Sequence, residues 1–141
     1  MAAGALHNIL YNDYVTIRND WDEALCDLEA RIRDLSETRR ELTQLRSDLE
    51  LHQNSVLLAE THKEGRINGS NEQTRKHQAA VLLANLPKED PDYKRLAEAV
   101  EKMQLHVDAL QMDIEVLQLK VSFLRNQSRM VAGLSYALAG V

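Results

Sequence analysis

The chain has 141 residues, 44% of them apolar but only 4% aromatic, with one Phe, one Trp, five Gly and two Pro. A ring-rich globular core is thereby excluded, and so few chain breakers favour long helices. The formal net charge of -5 excludes nonspecific nucleic-acid binding by the surface as a whole.

Residues 1–11 read as a flexible or partner-dependent arm. They lack the basic start and long apolar run of a signal peptide, and no stretch is long enough for a transmembrane helix, so a cytoplasmic location is expected with no membrane partner. The expected architecture is all-α: a long coiled-coil hairpin or bundle of three helices over 12–64, 71–86 and 91–132, oligomeric, with an apolar tail at 133–141.

The first helix is expected to start at Asn12 or Asp13, either of which can accept the unpaired amide protons of a first turn. Its apolar residues follow a heptad. Leu28, Leu35, Leu42, Leu49 and Val56 take one seam position, and Leu25, Ile32, Arg39, Arg46 and Gln53 the other. Polar residues in a seam lower stability but help to set register. Tyr14 and Trp21 share a face with Leu25 and Leu28, which reads as packing rather than as a platform for bases. Cys26 reads as a buried, inert thiol, and a lone cysteine excludes a disulfide within the chain. Arg39, Arg40 and Arg46 offer part of a nucleic-acid track, but Glu37, Glu41 and Glu50 nearby favour pairing on a solvated face instead.

The break is expected at Gly65, in a left-handed position, with Asn68-Gly69 as a tight turn. Ser70 to Gln73 then forms a capping box, and Pro87 stops the second helix. Asp90 with Pro91 should begin the third. That helix has the best seam: Tyr93, Val100, Val107, Ile114 and Val121 with Leu96, Met103, Leu110, Leu117, Leu124 and Val131. Leu105, Met112, Val116, Leu119 and Phe123 lie off it, more than one partner helix can cover. An oligomer contact is therefore expected through Leu110, Ile114, Leu117, Val121, Leu124, Val131, Leu134 and Leu138.

Charge is unevenly spread. Residues 1–60 carry 6 basic and 12 acidic groups, and 78–119 carry 4 and 8; residues 61–77 carry 4 and 2, and 120–141 carry 3 and none. Lys63, Arg66, Arg75, Lys76 and His77 thus crowd around one turn. With the free amides at the start of the second helix they form a candidate phosphate site. The alternative is a solvated loop. The five histidines show no metal-ligand spacing, and no phosphate-binding or nucleophile motif is present, so neither a metal, a cofactor nor an enzyme activity is expected.

Tyr14 and Trp21 leading into a charged helix, the basic turn Lys63-Glu64-Gly65-Arg66, a second helix through Arg75-Lys76 and Val81-Leu82-Leu83, and a long last helix ending apolar before Gly140 together resemble the UvsY-type recombination mediators of tailed phages. The resemblance is architectural, over about residues 11–140, and it matches no diagnostic motif. It implies a homo-oligomer that binds single-stranded DNA and helps to load a RecA-like recombinase. The residues alone support equally a structural or adaptor protein, such as a phage assembly factor, scaffold or inhibitor, that binds another protein.

Overall fold

A computed structural model describes residues 2–139, which form three α-helices and no strand: α1 (Ala2–Glu60), α2 (Glu72–Glu89) and α3 (Pro91–Ala139). Met1, Gly140 and Val141, parts of the expected arm and tail, lie outside the described residues.

α1 continues through residues 2–11, where the sequence suggests an arm. Alanine and leucine dominate this segment, and Gly4 alone costs only about 1 kcal/mol of helix propensity. At its other end α1 stops at Glu60, four residues before the expected boundary. Gly65 does not terminate it in a left-handed conformation, because no described residue has positive φ. Its requirement is space: a Cβ there would lie 2.1 Å from the Glu60 carbonyl oxygen. The Gly65 amide donates to the His62 carbonyl at 3.0 Å, and the Ile67 amide to the Glu60 carbonyl at 3.1 Å. Ile67 is buried and pins the turn.

The start of α2 differs by one residue from the capping box read in the sequence. Asn71, extended at φ -125°, is the cap, and its Oδ1 accepts from the Thr74 amide at 2.8 Å. Asparagine caps as well as serine, so the backbone selects between them. Pro87 does not stop α2, which runs on to Glu89. The proline removes one intrahelical bond close to the end of the helix, where the loss is smallest. The turn is then closed by the Asp90 amide donating to the Leu86 carbonyl at 2.8 Å. Asp90 also caps α3: its Oδ1 accepts from the amides of Asp92, at 3.1 Å, and Tyr93, at 3.2 Å.

The chain packs as two compact units, Met1–Ser36 with Asp108–Val141, and Glu37–Val107. In the second unit the ends of α1 and α3 run antiparallel, joined by Arg46 to Gln104 and by Gln53 to Tyr93. Its buried side chains are Thr38, Leu42, Ile67, Leu82, Leu86, Tyr93 and Val107. α2 supplies Leu82 and Leu86, each worth about 1.5–3 kcal/mol on burial. In the first unit Ala24, Leu35, Leu110, Ile114, Leu124 and Ser128 are buried, and Tyr14 and Trp21 are half-buried. The Arg18 guanidinium lies 5.1 Å from the centre of the Trp21 ring.

One of the two expected inward lines of α1 holds and the other shifts by one residue in its middle. Leu28, Leu35, Leu42, Leu49 and Val56 are buried or half-buried, as the heptad requires. In the other expected line Leu25 and Gln53 are half-buried but Ile32, Arg39 and Arg46 are exposed, and the neighbouring Ala24, Thr38, Leu45 and His52 are buried or half-buried. Ala24 and Thr38 are small enough to allow close approach, and the arginines keep their charge in water. Cys26, two residues past the buried Ala24, points outward and is exposed, not buried.

Candidate association surface

The turn of the second unit brings the expected cations together and supplies each with a local partner or open solvent. Arg66 pairs with Glu60 at 3.4 Å and with Glu89. Its own amide donates to Glu60 Oε2 at 3.0 Å. That backbone bond, followed by the guanidinium, holds the Glu60 carboxyl below the usual carboxylate range. The hydrogen bond to Glu89, followed by that to Glu60, makes the Arg66 guanidinium still harder to deprotonate. Arg75 donates to the Gly69 carbonyl at 3.2 Å, and Lys76 lies 3.3 Å from Glu72. Lys63 and His77 are exposed. His77 shares an open groove with Arg66, Gln78, Val81, Leu82, Asn85 and Glu89.

The basic turn is therefore electrically balanced. Lys63, Arg66, Arg75 and Lys76 stand against Glu60, Glu64, Glu72 and Glu89. Glu72 moreover opens α2, placing a carboxylate at the positive end of the helix where an anion would bind. Glu60 and Glu89 are missing from the sequence reading because they approach Arg66 from the ends of two different helices.

A second polar cluster also escapes the sequence reading. His52 Nε2 lies 2.7 Å from Asp90 Oδ2, its ring is 6.1 Å from that of Tyr93, and Gln53 Nε2 donates to the Tyr93 hydroxyl at 2.8 Å. The hydrogen bond from His52 is the main reason that the Asp90 carboxyl titrates below its ordinary range. The only trace in the sequence is the Asp90-Pro91 cap; nothing local ties it to His52.

α3 requires a correction. Leu110, Ile114 and Leu124, expected to meet other copies, are buried within the chain. Leu117, Val121, Val131 and Leu138 are half-buried, and only Leu134 of the eight is exposed. Helix α1 covers this seam in the first unit, since no other segment of that unit is available to do so. The opposite face is bare. Met112, Val116, Leu119, Phe123 and Met130 are between 61% and 73% exposed. Their spacings of 4, 3, 4 and 7 form one stripe along the helix. Beside it, an open groove is lined by Asp27, Ala30 and Arg31 of α1 and Asp113, Val116 and Leu117 of α3.

Among the described residues no group of three or more His, Cys, Asp or Glu could hold a metal ion. No described helix is long and apolar enough to cross a membrane. No protein family matches the chain, and comparison with curated proteins and with solved structures finds no match.

Proposed function

We propose that the chain is a non-enzymatic association module whose outer α3 face binds a protein helix, as in a structural or adaptor protein. The observation that carries this is the exposed stripe from Met112 to Met130. Single exposed apolar residues are ordinary, but a continuous row of large ones marks a binding surface. Covering each such side chain stabilises a complex by about 1.5–3 kcal/mol. The grooves of the chain are open, which suits docking better than pKa tuning in a dry pocket.

The test is a triple variant, Met112→Gln with Leu119→Gln and Phe123→Gln. The wild-type chain should bind itself or a defined protein partner, and the variant should not. Equal behaviour of the two, in sedimentation and in capture of partners, would refute the reading.

A single-stranded-DNA mediator that loads a recombinase is the second reading. It is favoured by exposed Lys63 and His77 beside Arg75 and Lys76, and opposed by the four carboxylates of the same turn. Fluorescence anisotropy with a labelled oligonucleotide across a salt series tests it. Binding through this turn must weaken with salt and with Lys63→Ala plus Arg75→Ala.

A further inference from the structure

The outer face of α3 has borders of opposite sign in its two halves. One border carries Asp108, Glu115, Ser122 and Arg129, seven residues apart; the other carries Asp113, Lys120 and Gln127. Toward the start of the stripe the border charges are acidic, and toward its end they are basic. Such a layout discriminates between orientations of a second helix.

Consider a two-fold axis at the midpoint between Leu117 and Gln118. An antiparallel copy then brings Met112 opposite Phe123, and Val116 opposite Leu119, so every large residue of the central stripe meets another. In the same register Asp113 faces Lys120 of the second copy, and Asp108, which also has an interaction within its own chain, faces Arg129 of the second copy. Symmetry repeats each pair, giving four attractive contacts, while Glu115 meets the neutral Ser122. Parallel, in-register pairing instead sets Asp108 against Asp113, a like-charge contact made twice, and retains only Glu115 with Lys120. Arg31, the cation that lines the same groove as Asp113, pairs with Asp34 at 4.0 Å.

We infer that the occupant of this face is a second copy of the chain, bound antiparallel about the Val116–Leu119 segment. The inference rests on the association reading above and names its partner. The complementary borders are the ground for choosing self-pairing over a different protein. Closed two-fold pairing also covers the same patch on both copies and leaves no stripe exposed.

The experiment is sedimentation equilibrium of the full chain, with a charge-exchange cycle on Asp113 and Lys120. Wild type should be a dimer. Lys120→Asp alone should weaken it roughly tenfold, because two favourable pairs become two repulsive ones. Asp113→Lys alone should do the same, and the double exchange should restore most of the affinity. The triple glutamine variant should be monomeric, with unchanged helical circular dichroism. A dimer insensitive to the single exchanges, or not rescued by the double, overturns the antiparallel register. A wild-type monomer whose stripe nevertheless captures a defined foreign protein overturns self-pairing and leaves the association reading standing. A wild-type monomer with no stripe-dependent partner overturns both.

Discussion

His52 Nε2 lies 2.7 Å from Asp90 Oδ2, so one histidine near the end of α1 grips the residue that starts α3. The other oxygen of the same carboxylate caps α3 through the amides of Asp92 and Tyr93. One side chain thereby joins a tertiary contact to a local one, and its ionised form serves both.

That arrangement makes stability depend on acid. Asp90 titrates below its ordinary value of 3.8 in the folded chain, chiefly through the bond from His52. Its contribution is complete above the unfolded value and is lost as pH falls through the lower folded one. Thermal melts followed by circular dichroism should therefore show a smaller loss between pH 7 and pH 3 in Asp90→Asn than in wild type. Parallel curves for the two proteins would contradict this assignment.

Leucines of the second unit should separate sharply by burial. Leu86 is 2% exposed and Leu58 is 79% exposed. Leu86→Ala should cost about 2–5 kcal/mol in urea denaturation, as truncation in a packed core does. Leu58→Ala should change stability by no more than about 0.5 kcal/mol. Similar costs would mean that Leu58 is covered in solution.

Two glycines should respond in opposite directions to alanine. At Gly65 the added carbon would meet the Glu60 carbonyl oxygen at 2.1 Å, so the turn must shift, and a loss of about 1–3 kcal/mol is expected. At Gly133, inside α3, nothing lies within 4 Å. Gly133→Ala should stabilise by about 0.5–1 kcal/mol, because alanine loses less backbone entropy in a helix. Urea titration of both variants gives the signs directly.

The turn offers a test of what its cations are for. Arg66→Ala removes the partner of Glu60 and Glu89 and should lower the unfolding midpoint. It should also return the Glu60 titration, followed by NMR, part of the way toward the normal carboxylate range, since the guanidinium is only the second cause of its depression and the backbone amide of residue 66 still donates to Glu60. Lys63→Ala should move neither observable. An unchanged midpoint for Arg66→Ala would show that its ion pairs are surface ornaments with no net value.

Local sequence determines much of this protein. The helical class, the break near residues 61–71 and the start of α3 at Asp90-Pro91 all follow from periodicity, glycine and proline placement, and capping chemistry, which act between residues a few positions apart. The surplus apolar residues of α3 are equally legible, since they lie three, four and seven apart. Tertiary structure alone decides which line of α1 turns inward, because Ala24 and Thr38 are inconspicuous in a heptad yet small enough to admit a neighbouring helix. It also decides that Arg66 is held by Glu60 and Glu89, and that α1 covers the Leu110–Leu124 seam and leaves the Met112–Phe123 face open. Those outcomes depend on which distant segment arrives at each surface, and that is fixed by packing and by the cost of unpaired charge, neither of which any short stretch of chain encodes.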